Sequence, residues 1–256
     1  MVRKNGVGFL LGLVFVLSTC TSAFSQTLFK QDNAYASLNV GLTFLNDIDF
    51  GAEASQGNRT VTAGGKLTYD TGASVSATYG YILSSLVRTE LELGYMEMDH
   101  DAIKFDGTLT SGGNTLATVG GEAALSGEVE TLTGLASVIF TPSASGIRDT
   151  LSKVPFLDLL NDLPLGNFTP LVGGGIGFAD WEDNIKSAST SAGTLTINGE
   201  ESDTDFLAAV LAGLEYNVGQ NLTAKVTYRH IWVDSGKGGV DDAEADNVSA
   251  SLAWLF

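Results

Sequence analysis

Ala34-Tyr35-Ala36-Ser37-Leu38-Asn39-Val40-Gly41-Leu42-Thr43-Phe44 decides the fold. Its even positions are apolar and its odd positions mainly polar or small, the period-two signature of a strand whose two faces meet different environments. The alternation then recurs. Val75, Ala77, Tyr79 and Tyr81 alternate with Ser74, Ser76, Thr78 and Gly80, and Val87, Leu91, Leu93 and Tyr95 with Arg88, Glu90, Glu92 and Gly94. Weaker versions cover Leu132 to Phe140, Thr169 to Phe178 and Phe206 to Tyr216. Two clear ones close the chain. Ala224, Val226, Tyr228 and Trp232 stand against Lys225, Thr227 and Arg229, and Val248, Ala250, Leu252, Trp254 and Phe256 against Ser249 and Ser251. The pattern predicts eight strands.

The first twenty-five residues are read separately. Arg3 and Lys4 precede an apolar run from Gly8 to Leu17, and small residues follow at Ser22, Ala23 and Ser25. This is the layout of a secretory signal peptide over 1–25, cleaved after Ser25, which leaves 26–256 as the mature domain. The single cysteine, Cys20, is expected to leave with the signal, so the mature chain has no disulfide. Thr19 stands where a lipoprotein site carries Gly, Ala or Ser.

Composition narrows the function classes. The 256 residues carry a formal net charge of −17, and removal of Arg3 and Lys4 makes it −19. No basic footprint exists to meet phosphates, so nucleic acid is not an expected partner. A hydrophobic fraction of 44% excludes a disordered acidic chain, which lacks the apolar residues for a core. No later stretch approaches the roughly eighteen apolar residues of a membrane-spanning helix.

Eight alternating strands make either a soluble sandwich or lipocalin-like barrel, or a membrane barrel with its apolar face outward. The connections favour the second. With strand one running upward, the lower turns at Leu83 to Ser85 and Asn217 to Asn221 are short, and the upper loops near 45–72, 99–127, 179–204 and 234–246 are long. Phe44, Tyr95, Phe178, Phe206 and Trp232 fall at the upper strand ends on the apolar face, and Tyr81, Phe140, Tyr216 and Phe256 at the lower ends. Two aromatic girdles around an aliphatic and alanine band suit a bilayer. The expected fold is an all-β, eight-stranded antiparallel up-and-down transmembrane barrel.

Asp203-Thr204-Asp205-Phe206, Ala212-Gly213-Leu214-Glu215-Tyr216 and the turn Asn217 to Asn221 leading to Tyr228-Arg229 form one group of motifs. The glycine-rich Thr169-Pro170-Leu171-Val172-Gly173-Gly174-Gly175-Ile176-Gly177 and the terminal Leu252, Trp254 and Phe256 are two more. Together they resemble Gram-negative outer-membrane barrels of the opacity-protein and OmpA-like transmembrane type. The resemblance spans the mature chain as a pattern, with its specific motifs in the last ninety residues. It implies an outer-membrane location, a surrounding of outer-membrane lipid and lipopolysaccharide, and recognition of Leu252, Trp254 and Phe256 as an assembly signal by the barrel-assembly machinery. The usual signal has a Gly upstream where this chain has Ser249 and Ala250. The family is functionally mixed and implies no single activity. No peptidoglycan-binding domain is expected after Phe256.

One segment departs from the family. Residues 141–167 should be a short periplasmic turn, yet they hold Ile147, Leu151, Val154, Phe156, Leu157, Leu159 and Leu160 among charged residues, nearer to helical spacing than to alternation. Pro155 would kink such a helix. The expectation is a periplasmic insertion packed on the lower rim, with an interfacial or partner-binding helix as the alternative.

Arg88, Glu90, Glu92, Glu215, Lys225 and Arg229 share the inward parity. An eight-stranded barrel is only wide enough for side chains to fill, so three acids and three bases are expected to pair as a structural plug. The alternative is a gate that passes small solutes. The upper loops hold nineteen acids against five bases, Arg59, Lys66, Lys104, Lys186 and Lys237, a net −14. Clusters such as Asp241-Asp242-Ala243-Glu244-Ala245-Asp246 offer hard-cation oxygens but match no calcium loop, and a solvated acidic surface is the expectation.

No catalytic constellation assembles, so no enzyme, cofactor or metal is expected. A lipid A deacylase of this kind pairs a strand His with a Ser two residues on, and here His230 is followed by Ile231 and Trp232. His230 is placed at the upper interface beside Trp232. His100, between Asp99 and Asp101, opens a loop without a nearby nucleophile of fixed geometry. The glycines from Gly173 to Gly177 lack the Lys-Ser/Thr of a phosphate loop, and are expected to make room for long side chains of neighbouring strands. The expected role is envelope integrity or surface interaction through the loops, with a low-conductance, cation-preferring channel as the alternative.

Overall fold

Strands form wherever the alternation is strong, and eight of them pair into a ring without an edge. The computed structural model describes residues 33–142, 168–190, 193–234 and 243–256. They form ten strands: β1 (Ala34–Leu45), β2 (Ile48–Gln56), β3 (Arg59–Tyr69), β4 (Gly72–Ile82), β5 (Val87–Ser111), β6 (Asn114–Phe140), β7 (Phe168–Thr190), β8 (Gly193–Asn217), β9 (Leu222–Asp234) and β10 (Ala243–Leu255). Eight of these close a ring in the order β1-β4-β5-β6-β7-β8-β9-β10, with β10 antiparallel to β1 and β5 to β6. Closure of the ring removes the open edge that hydrocarbon would not tolerate, and the one-sided strands, β2 and the upper part of β8, lie above it. The signal segment 1–25 and the insertion, from 143 to 167, lie outside the described residues.

The outward face is apolar. Leu38, Val40, Leu42, Leu91, Leu93, Val210, Val226 and Leu252 are all exposed on the strand parity opposite to the interior. In a soluble protein such a surface would be an aggregation hazard, whereas in a bilayer it is the solvated face. Phe44, Phe178, Phe206 and Trp232 are exposed near the upper ends of this band, and Phe140 and Tyr216 near the lower. Tyr81, Tyr95 and Phe256 are half-buried on the same face.

The lower turns are short because local hydrogen bonds close them. Ser84 Oγ accepts from the backbone N–H of Leu86 at 3.2 Å and of Val87 at 3.1 Å, and Val218 N–H donates to Leu222 O at 2.9 Å. The upper connections correct the sequence reading. Three of the four segments expected to be loops are largely strand. Residues 48–69 form the β2–β3 hairpin, which pairs with the upper half of β5, and residues 99–127 and 179–204 continue β5–β6 and β7–β8 far above the girdle. Alternation fades there because neither face meets lipid, so the period-two signal weakens although the ladder continues. Backbone ladders run through these extensions, with the β5–β6 turn at Gly112 and Gly113 both at positive φ (59° and 84°), as a tight two-residue hairpin requires.

β5 is 25 residues long, whereas a tilted strand needs about 9–11 to cross the hydrocarbon. Its pairing changes partner part-way up. Residues 88–97 lie beside β4, and from His100 onward beside β3, with a register shift at Asp99 to Ala102 where one partner hands over to the other. β7 lies unusually close to β6. A Cβ on Gly177 would sit 1.8 Å from Gly134 O and one on Gly175 2.6 Å from Ala136 O. The glycine run therefore makes room chiefly for the β6 backbone, which corrects the expectation of neighbouring long side chains; only Gly173 also meets one, Ile139.

Candidate functional site

The barrel interior is the candidate site, and it is layered from bottom to top. Every layer is built from inward-facing positions of the ring strands.

The lowest layer is charged. Tyr35 on β1 points in, its ring filling the space over Gly80 of β4, where an added Cβ would meet the ring carbons at 2.1–2.5 Å. Its hydroxyl donates to Glu90 Oε1. Lys225 Nζ donates to the same oxygen at 3.1 Å, and Arg88 Nη1 donates to Glu215 Oε2 at 2.7 Å with its Nε 3.6 Å from Glu90. Both cations also lie over the Tyr35 ring, Arg88 at 5.4 Å and Lys225 at 5.6 Å from its centroid. One carboxylate layer up, Arg229 holds Glu92 in a two-pronged pair, Nη1 to Oε1 at 2.6 Å and Nη2 to Oε2 at 2.8 Å. The structure thus brings together all six residues singled out by parity, four of them buried. The gap that these side chains border holds about 10 Å³.

Above it comes an uncharged polar layer that the sequence reading did not single out. Asn39 Nδ2 donates to Ser76 Oγ at 2.8 Å and Thr78 Oγ1 at 2.9 Å, and Asn247 Nδ2 donates to Thr43 Oγ1 at 2.9 Å and Ser74 Oγ at 2.8 Å. Thr78 Oγ1 in turn donates to Glu92 Oε2 at 3.2 Å, which ties this layer to the ion pairs below. The signal was available: Tyr35, Asn39, Thr43 and Asn247 all occupy inward positions of β1 and β10.

The uppermost layer is apolar. Leu135, Ala179, Leu207, Ala209, Ile231 and Ala245 form a buried cluster, with Leu45 and Val233 packed against it. These residues stand on the parity that is charged lower down. Over them lies a cavity of about 300 Å³ to which the β2–β3 hairpin contributes one wall.

Two histidines occupy different sides of the wall. His100 is a buried side chain of β5, not the opening of a loop: it stands at the register shift, its Nε2 2.8 Å from Asp183 Oδ1 and its ring 5.1 Å from that of Tyr69. It keeps the inward parity of Arg88, Glu90 and Glu92, so the alternation would have placed it inside had the strand been carried past Tyr95. Burial holds the Tyr69 hydroxyl well above its usual range. His230 faces outward at the upper girdle, its ring edge-on to Trp232 at 4.4 Å and its Nδ1 2.8 Å from Asp246 Oδ1, which also accepts from the Tyr228 hydroxyl at 2.6 Å. Glu244 and Asp246 thus belong to β10, and Asp241, Asp242 and Lys237 lie outside the described residues.

On the projecting hairpins the acids find few bases. Lys66 meets Asp47 at 3.1 Å and Lys186 meets Glu128 at 2.8 Å. The hydrogen bond and charge of Asp47 raise the Lys66 ammonium above its usual value. No group of three or more His, Cys, Asp or Glu poised to hold a metal ion occurs among the described residues.

The family model described as outer membrane protein beta-barrel domain matches residues 11–256. No curated protein matches the chain. Among solved structures, the chain is similar to Neisserial surface protein A, at 13% identity and a TM-score of 0.44 over 87% of this chain and 97% of that one. It is similar to the attachment invasion locus protein Ail of Yersinia pestis, solved with the heparin analogue sucrose octasulfate, at 12% identity and 0.40 over 87% and 99%. It is also similar to the outer membrane protein OprG of Pseudomonas aeruginosa, at 11% identity and 0.41 over 88% and 97%. At these values none of the three bears on what this chain binds or does.

Proposed function

The chain belongs to the outer membrane protein beta-barrel domain family, and we propose that it is a non-catalytic barrel, closed to solutes, that anchors acidic hairpins at the cell surface. Its location is the outer membrane, in contact with outer-membrane lipid and lipopolysaccharide. One observation carries the reading: the lower interior is filled by ion pairs and hydrogen bonds, and the gap among them, about 10 Å³, offers room on the scale of a single water. A conducting path would have to separate Arg229 from Glu92 and Arg88 from Glu215, and each separation leaves buried charge without a partner. What remains free to act is the surface above the girdle, where β5–β8 extend and negative charge concentrates. Its role is envelope integrity or interaction with surface partners through these hairpins. Recognition of Leu252, Trp254 and Phe256 by the barrel-assembly machinery belongs to the same proposal; Leu252 and Trp254 face outward on β10 and Phe256 N–H donates to Ala34 O at 3.0 Å, at the seam that closes the ring.

The test is planar-bilayer conductance of the refolded barrel, with insertion verified by heat-modifiable gel mobility. The expected outcome is silence from an inserted barrel. Discrete, cation-selective steps that change on Arg229→Ala would replace the anchor by the channel reading.

A further inference from the structure

The upper cavity is chemically unlike the rest of the interior. Phe50 and Leu67 of the β2–β3 hairpin face it, and Met98, Leu207 and Ile231 line it from the barrel wall. Met96, Leu207 and Ile231 border both this cavity and the small polar gap beneath it, so they mark the boundary between the two. The polar gap holds about 30 Å³ and the cavity about 300 Å³. The cavity is therefore a cup with a plugged floor, placed at the extracellular mouth.

We propose that this cup is a binding site for a small aromatic or alkyl molecule that carries a neutral or cationic polar end. Three observations carry it. The first is size: an engineered apolar cavity of about 150 Å³ accepts benzene, and roughly twice that volume takes a bicyclic ring or a short alkyl chain. The second is lining. Apolar walls of this extent hold water poorly, so a ligand that replaces it gains, and two methionines give the walls side chains that adapt to shape. The third is charge. Asp183, Glu201 and Asp205 are the ionisable side chains on the lining besides Tyr69, and no Lys, Arg or His lines the cup among the described residues.

Two of the carboxylates are held in place. Trp181, itself a lining residue, donates its Nε1–H to Asp205 Oδ2 at 2.7 Å, and Asp183 lies 2.8 Å from His100. A cationic or neutral head meets oriented acceptors, and a carboxylate head meets like charge. The site does not depend on the barrel being open or shut to solutes, because its floor lies above the ion pairs. Binding and conductance are therefore independent readouts.

The experiment uses the folded barrel in lipid nanodiscs, with empty nanodiscs as the partition blank, and equilibrium dialysis against three probes that share one ring system: 1-naphthylmethylammonium, 1-naphthalenemethanol and 1-naphthoate. Saturable binding of about one ammonium or alcohol per barrel is expected, with naphthoate weaker by at least about tenfold through like-charge repulsion. Met98→Trp fills the cup and should abolish saturable binding, and Asp205→Asn should narrow the ammonium-to-carboxylate ratio. Heat-modifiable mobility verifies folding of each variant. Should Met98→Trp fail to fold, Phe50→Ser removes a wall from the hairpin without touching the ring of eight strands and should weaken the ammonium by several-fold. No saturable binding of any probe above the blank overturns the proposal, as does binding unchanged in folded variants of Met98 and Phe50. Naphthoate binding as tightly as the ammonium overturns the assigned ligand class.

Discussion

The lower and upper halves of the barrel interior are walled by many of the same strands, yet one is packed to gaps of about 10 Å³ and the other opens to about 300 Å³. The difference is reach and bonding. Below, Arg88, Lys225 and Arg229 extend across the lumen to carboxylates on other strands, and each cation is fixed by a directional contact. Above, Ala179, Ala243 and Ala245 line the wall without crossing it, and apolar side chains have no directional bond to draw opposite walls together. A barrel of eight strands thus closes where long charged residues pair and leaves room where short apolar ones face each other.

The largest effect that could break this contrast is loss of an ionic partner. Glu92→Ala leaves the Arg229 guanidinium buried without its two-pronged acceptor and should cost about 3–5 kcal/mol in urea unfolding from lipid vesicles. Glu92→Met with Arg229→Met should recover most of that loss, since both charges are then gone. A single variant as stable as the parent would mean that the pairs do not close the lower half.

Next is the outer wall. Leu38→Arg puts a charge near the middle of the lipid-facing band and should destabilise by about 2–4 kcal/mol. Val61→Arg, on the equally exposed but projecting β3, should change stability by no more than about 0.5 kcal/mol. Equal costs at the two positions would place the hairpin in the bilayer and undo the division at the girdle.

Packing sharpens the comparison further. Ile139 is 1% exposed and packs with Leu171 and Leu211, so Ile139→Ala should cost roughly 2–4 kcal/mol. Met98→Ala widens an existing cavity and should cost about 2 kcal/mol, close to the transfer of the removed atoms alone and at the low end of the Ile139 range. Paired unfolding curves check the difference.

The smallest effect is at the Asp47–Lys66 pair, nearly half exposed on both sides. Asp47 raises the Lys66 pKa in the folded state, so any stabilisation is present below the unfolded lysine value and fades as pH rises through the folded one. Asp47→Asn should leave the unfolding midpoint at neutral pH unchanged within error, and any residual difference should vanish in high salt.

The parity of Ala34 to Phe44 and of Ala224 to Trp232 made both the barrel and its two faces legible in the chain, because a lipid-facing side and a filled lumen impose opposite chemistries on alternate residues. The same rule gathered Arg88, Glu90, Glu92, Glu215, Lys225 and Arg229 on one face. It stopped at the girdle. The β2–β3 hairpin and the extensions of β5 to β8 carry little alternation, since neither face meets lipid, and they read as loops. His100 lies on the inward parity of Glu90 and Glu92, but only the length of β5 shows that the parity reaches it, and alternation could not show that the glycines of β7 admit the β6 backbone. Which charge meets which, and whether the lumen above them closes, were decided by the tertiary structure alone: strand stagger sets who stands opposite whom across the ring. The sequence determined a barrel with a charged inner face and an apolar outer one. Closure of the ring determined that the charged half is plugged and the apolar half above it is a cup.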